Sequence, residues 1–557
     1  MDKQPWYWLN ENSRTFLARG YLAEGQTAEE RVRVIGEAAE KILGQEGYAD
    51  RIVEYVSKGW LSFSSPVWAN FGTDRGLPIS CFGSYIDDDM SSILYTHAEV
   101  GMMSKYGGGT SAYFGALRER GASISDYGSS NGPATFTQLF ETMVNIVSQG
   151  KVRRGSFSPY MPIEHPDILE FLDIGTEGNP VQTLTHGVTV TDAWLQEMID
   201  GDDEKRAIWA KVIQRRGEMG YPYVIFIDNA NNNTVDVYKD KDLKIVASNL
   251  CSEIMLPSTP DWSFVCCLSS VNVLWYDDWK DTQFIEDATM LLDAVISEFC
   301  TKLEALRDHE DPDKRRAFFF MERAYNFAKS NRALGLGVLG YHSLLQSKQL
   351  PFDSEAAAEL NIEVFKTIHE KSYAASQEMA KELGEPEILE GYGRRNTTTM
   401  SVAPTTSSAF ILGQVSQGIE PVWSNCYVKD LAKHKLLIKN PFLEQLLEEK
   451  GENNRDTWNS IRDNDGSVQH LACLSDEEKE VFRTFAEIDQ NVIIDQAAAR
   501  QQFIDQGQSL NVMVPPSVTP KDINALYMRA WKGGVKALYY QHSMNAAQEL
   551  TRQKLAK

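Results

Sequence analysis

No cysteine pair with CxxC spacing occurs in the 557 residues, although the chain carries seven cysteines, at positions 81, 251, 266, 267, 300, 426 and 473. Their odd number and wide separation argue against the disulfide framework of a secreted domain and against a structural zinc site. Missing too is any apolar run near the roughly 20 residues that span a bilayer. The acidic, tryptophan-containing N-terminus does not resemble a signal peptide. Positive charge is in deficit: 55 Lys and Arg against 78 Asp and Glu give a formal net charge of −23. That argues against a nucleic-acid or anionic-membrane surface, so any phosphate-bearing ligand must be held by local donors. Internal repeats, low-complexity tracts and Pro/Ser linkers are absent as well, so the bulk reads as one large α/β domain. The absences together describe a cytoplasmic protein with reduced thiols.

What is present is an alternation of helical and strand-like periodicity. Residues 1–60 read as small helices. Thr27-Ala28-Glu29-Glu30 fits a capping box ahead of Val32, Ile35, Ala38, Ala39, Ile42 and Leu43, and a second helix is expected near 49–59. Pro66 makes 64–70 an extended or turn segment, and 79–86 reads as a strand. Further helices are expected over 91–106, 135–149, 192–200 and 354–383, the last stopped by Gly384 and Pro386. Strands are expected at 187–191 and 223–227. Phe284, Ala288, Leu291, Val295 and Phe299 share one helix face. Residues 450–466 are polar enough for a surface insertion.

Chemistry concentrates at Asn249-Leu250-Cys251-Ser252-Glu253. An extended or finger-like segment here would point Asn249, Cys251 and Glu253 the same way, giving a thiol flanked by an amide and a carboxylate. Taken alone, such a thiol is more often an inert buried residue. Gly335, Gly337 and Gly340 match G-x-G-x-x-G, but the preceding residues read as helix, so the glycines are assigned to close backbone packing. Pro404-Thr405-Thr406-Ser407-Ser408 would cradle a phosphate if a helix begins there, or be an ordinary hydroxyl-rich cap. Gly107-Gly108-Gly109 lets backbone approach a ligand. Cys266 and Cys267 face opposite ways on a strand, so only one can share a site with Cys251. By pattern alone, Tyr539 and Tyr540 are core or interface residues.

In chain order, Ser65-Pro66, Ser80-Cys81, Gly107–Gly109, Asn249-x-Cys251-x-Glu253, Cys266 with Leu268-Ser269, Pro404–Ser408 and Leu538-Tyr539-Tyr540-Gln541 resemble the large catalytic (α) subunit of class I ribonucleotide reductases. The resemblance covers roughly residues 60–545. It implies a ten-stranded α/β barrel built from two half-barrels, with Cys251 on a central finger loop. The expected division is 1–60 as an N-terminal helical segment, 61–545 as the catalytic barrel and 546–557 as a tail without cysteines.

By the same resemblance, Cys251 carries a transient thiyl radical and Glu253, helped by Asn249, deprotonates the ribose 3′-hydroxyl. Cys81 and Cys266 supply two electrons and close to a disulfide; Cys266 is chosen over Cys267 because the family pattern is Cys-x-Leu. Ser65, Ser80, Gly109 and Pro404, Thr405, Thr406, Ser407 and Ser408 hold the ribonucleotide. Tyr539 and Tyr540 relay the radical from a separate β subunit, so no cofactor is bound in this chain. Asp88 and Arg118 fall where a deoxynucleotide or ATP specificity effector is met, and residues 151–156 form the loop between effector and substrate. The expected partners are a second copy of the chain and a thioredoxin- or glutaredoxin-like reductant. The 60 residues ahead of the barrel are too few for the family's ATP cone, and the tail lacks its usual cysteine pair. An adenosylcobalamin-dependent reductase and a nucleotide-binding regulatory protein without catalysis are the alternatives.

Overall fold

The computed structural model describes residues 4–543 apart from 127, 150–152, 414, 432–433 and 516. The expected loop at 151–156 therefore lies partly outside the described residues, and the tail 546–557 wholly so.

Five parallel strands lie side by side in chain order: Cys81–Tyr85, Gly109–Tyr113, Phe157–Pro162, Gly187–Val190 and Tyr223–Phe226. Nearly every residue in them is buried, as parallel strands covered on both faces must be. A second parallel set begins with Phe264–Asn272 and Leu334–Leu339. It continues through single bridges, Leu336 to Met400 and Val402 to Gln508, and ends with Val512–Val514 beside Gln541–Ser543.

The two sets meet antiparallel at both edges. Phe264, Val265 and Cys266 pair with Gly83, Phe82 and Cys81, and Ala537 and Leu538 pair with Ile225 and Val224. The ring is thus closed from two half-barrels, the architecture expected from the sequence. Gly335 and Gly337 lie within a strand, not after one. A Cβ at Gly337 would stand 2.5 Å from the Ser401 carbonyl oxygen and one at Gly335 3.0 Å from Cys266 Sγ, so the glycines serve close packing.

Helices cover the outside. Ala28–Leu43 starts at the Thr27–Glu30 capping box, and Phe284–Arg307 and Glu355–Leu383 are long buttresses. The N-terminal helices pack onto the barrel. Buried Arg31 donates to the carbonyls of Trp68 (2.6 Å), Val67 (3.0 Å) and Phe71 (2.6 Å), and Ser13 Oγ donates to Ile411 O (2.7 Å).

Two local expectations are corrected. Ser65–Asn70 is a helix, because Pro66 falls in its first turn, where a missing N–H costs nothing. Residues 450–466 are more than a polar insertion: Arg455–Asp463 is a helix capped by Asn454, with Trp458 and Ile461 buried. Their apolar pair three apart was the overlooked signal.

Candidate active site

The segment from Ile245 to Leu256 crosses the barrel without joining the sheet. Of the two forms expected it takes the finger-like one, not the extended one. The chain turns at Leu250–Ser252, with Ser252 at φ +67°, and Asn249 Oδ1 accepts the N–H groups of Glu253 (3.1 Å) and Ile254 (3.2 Å). Asn249, Cys251 and Glu253 come together through this side-chain-bridged turn. The signal was the asparagine, which bonds nearby backbone and favours turns.

Both half-barrels hold the loop. From the first, Ser111 Oγ donates to Ser248 O (2.9 Å) and Tyr160 Oη to Asn249 O (2.6 Å). From the second, Ser401 Oγ and Gly507 N donate to Glu253 O (2.8 and 2.9 Å), and Ser509 Oγ lies 2.6 Å from Cys251 O and 3.2 Å from Glu253 Oε2. Glu253 is almost fully buried, whereas Cys251 is half-buried.

Cys81 and Cys266 are direct register partners across one antiparallel seam. Side chains so placed have Cβ atoms about 4.5–5.5 Å apart, close to the distance a disulfide bridges. The two are thiols here, not a disulfide, and each has an amide donor: Asn249 Nδ2 at 3.3 Å from Cys81 Sγ and Gln506 Nε2 at 3.4 Å from Cys266 Sγ. Burial pushes the Cys266 thiol well above its ordinary value, and the Gln506 bond opposes that shift. Cys267 points away, toward the Asp293 side of the strand.

On the other side of Cys251 lie aromatic rings. The Tyr539 hydroxyl interacts electrostatically with the Cys251 side chain, and the Tyr540 hydroxyl with Tyr539 and Tyr223. Ring centroids are 4.5 Å apart for Tyr539–Tyr540, 4.9 Å for Tyr223–Tyr539 and 5.3 Å for Tyr223–Tyr540. Burial raises the hydroxyl of all three above the ordinary tyrosine value. Tyr540 also lines an outward cavity of about 880 Å³ with Trp423, Tyr427 and His542.

The hydroxyl-rich stretch forms a shelf. Thr405, at φ +60°, caps the helix Thr406–Ile411, whose first amides have no intrahelical acceptor. It abuts the strand Leu61–Phe63 that leads into the Ser65 helix: Ser62 Oγ donates to Ser408 O and Ser408 Oγ to Phe63 O, both at 3.4 Å. Ser80 and Gly109 sit beside Cys81, with Gly109 N donating to Ser80 O (2.8 Å). Asp88 and Arg118 form an ion pair (2.8 Å) on the first half-barrel.

The sequence reading missed Gln506, Ser509, Ser401, Tyr160 and Tyr223. Gln506 also accepts Met255 N (3.0 Å) and donates to Leu334 O (3.0 Å), linking finger loop to second half-barrel. Asp505-Gln506-Gly507-Gln508-Ser509, a polar run that is nearly all buried, was the available signal. Among the described residues no His/Cys/Asp/Glu group could hold a metal, and no helix is long and apolar enough to cross a membrane.

A thiol loop threaded through a two-part α/β barrel defines a class of radical enzymes, and comparison with known proteins agrees. Residues 79–206, 199–388 and 386–541 match the family described as ribonucleotide reductase, barrel domain. The chain belongs to the ribonucleotide reductase family, among its large subunits. It is 55% identical to the solved Actinobacillus ureae class Id ribonucleotide reductase alpha subunit, with a TM-score of 0.91 over 98% of this chain and 99% of that one. It is also 36% identical to a putative ribonucleoside-diphosphate reductase large subunit of Frog virus 3, over 91% of this chain and 90% of the relative. A vitamin B12-dependent ribonucleoside-diphosphate reductase of Mycobacterium tuberculosis is 28% identical over 88% of this chain.

Proposed function

We propose that this chain reduces ribonucleoside diphosphates to 2′-deoxyribonucleotides by thiyl-radical chemistry, as the DNA-precursor enzyme of the cytoplasm. The observation that carries this reading is the position of Cys251. It shares one turn with Glu253, lies beside the opposed Cys81–Cys266 pair through Asn249, and meets Tyr539 on the other side. The Cys251 radical takes the ribose 3′-hydrogen while Glu253 accepts the 3′-hydroxyl proton. The 2′-hydroxyl leaves as water, and Cys81 and Cys266 give up two electrons and become a disulfide. Ser65, Ser80, Gly109 and Pro404–Ser408 hold ribose and phosphates, the last by helix N–H groups and hydroxyls in a chain with no basic surplus.

The radical comes from a separate β subunit through Tyr540 and Tyr539. Exposed Tyr427, Val428 and Leu437 near the Tyr540 cavity supply an apolar docking rim. Exposed Met90 and Leu94 on one helix, with Leu139 and Ile146 on its neighbour, give a face for a second copy of the chain. Asp88 and Arg118, close to that face, meet a deoxynucleotide or ATP effector of specificity. An external thioredoxin- or glutaredoxin-like thiol restores the Cys81–Cys266 pair. The test is to mix the reduced chain with CDP and the β subunit of a class Id relative. Deoxycytidine diphosphate should form only with the β subunit present. Turnover with adenosylcobalamin alone would instead assign the chain to the cobalamin-dependent reductases.

A further inference from the structure

Glu420 is buried, and burial pushes its carboxyl up to about 7. A buried carboxylate is costly unless it is paired, yet its donors among the described residues are both neutral. Trp423 Nε1 donates to Oε2 at 2.8 Å and Asn511 Nδ2 to Oε1 at 2.6 Å. Asn511 Oδ1 in turn accepts Tyr540 N (3.1 Å), so the carboxylate is tied to the outer tyrosine. Trp423 is itself 40% exposed, and most exposed indoles leave their N–H to water. Its ring meets His542 at 4.3 Å between centroids, His542 meets Tyr540 at 5.8 Å, and all three line the same cavity. Aromatic contact is therefore unbroken from the rim of the cavity to Cys251.

We propose that Trp423 and Glu420 extend the tyrosine relay outward, the indole passing the oxidising equivalent to Tyr540 while Glu420 takes and returns the indole proton. This rests on the reading of Tyr540 and Tyr539 as a relay. A one-electron oxidant in the radical-supplying subunit takes one electron from the indole and is itself reduced by one. The Nε1–H bond breaks, its proton moves to Glu420 Oε2, and a neutral indolyl radical and a carboxylic acid remain. The indolyl then takes one electron from Tyr540 and regains the proton from Glu420. The Tyr540 O–H bond breaks and its proton passes to water in the cavity. Trp423 and Glu420 end unchanged, with the radical on Tyr540. A proton affinity raised by burial suits Glu420 to this exchange better than that of an ordinary surface carboxylate.

Trp423→Phe and Trp423→Tyr separate a relay from a docking contact, since both keep an aromatic ring and only tyrosine is readily oxidised. With saturating β subunit, Trp423→Phe should lower kcat by about tenfold or more, and Trp423→Tyr should recover most of that loss. The β-subunit concentration giving half-maximal rate should change little in either. Glu420→Gln, which cannot take up a proton, should also lower kcat while the protein remains folded by circular dichroism. Equal behaviour of the Phe and Tyr variants, or a weakened half-saturation at unchanged kcat, would make Trp423 a docking residue and overturn the proposal. Full kcat in Glu420→Gln would do the same. Tyr540→Phe is the control. If it is active, the whole relay reading fails; if it is dead while Trp423→Phe is fully active, only this extension fails.

Discussion

Serine at position 251 keeps the size of the thiol and can still meet Tyr539, but it has no readily oxidised S–H bond. Cys251→Ser is therefore expected to fold and bind nucleotide like the wild type and to form no deoxynucleotide, as product chromatography and nucleotide-dependent melting will measure. Cys266 and Cys267 make a sharper comparison, being adjacent and both fully buried. Cys267→Ala should cost about 1 kcal/mol of stability for a small lost side chain and leave turnover intact. Cys266→Ala should remove multiple turnover. Glu420 gives a pH signature. Its folded value near 7 lies above that of an unfolded glutamate, so from about pH 4.3 to about 7 the folded chain holds a proton that the unfolded chain releases. Its contribution to stability is complete below that window and is lost as pH rises through it. Wild-type stability relative to Glu420→Gln is thus expected to fall across the window by about 4 kcal/mol at most, readable from urea titrations at both ends. At this scale the sequence showed reactive residues and hid their partners. Cys251 and Glu253 stand close together in a recognisable pattern, whereas Ser509 and Gln506 lie some 250 residues away and carry no local sign of what they touch.

Elements were legible where they are punctuated locally. Thr27 with Glu30 and Ser354 with its helix announced their starts, and both caps form. Strands of the second half-barrel were harder to see, because Met400, Val402 and Gln508 join it through single bridges instead of long alternating runs. Close approach there explains Gly337. Since an added Cβ would meet backbone, Gly337→Ala should cost about 1–3 kcal/mol or more, seen as a lowered urea midpoint with reduced turnover. Asp88 and Arg118 give the opposite case. Their ion pair is about one-third exposed, so Asp88→Asn should change stability by less than about 1 kcal/mol. A lost response of base preference to deoxynucleotides, without lost stability, is the outcome that marks the pair as an effector contact.

For the molecule as a whole, assembly is the property least visible in a single chain. If the Met90, Leu94, Leu139 and Ile146 face meets its own copy, Leu94→Asp with Ile146→Glu should give monomers in sedimentation velocity while the fold is kept. The barrel itself was legible only through the order of its motifs, since periodicity cannot show which strands meet across nearly 200 residues, as Cys81 and Cys266 do. That geometry bears on synthesis. Glu253 is held by Ser401 and Ser509, and Cys251 touches Tyr539. A chain emerging from the ribosome N-terminus first exposes its reactive loop long before those residues exist. No nascent fragment short of about residue 540 can place Cys251 beside Tyr539, so under the proposed relay an unfinished chain has no route by which an oxidising equivalent reaches that thiol.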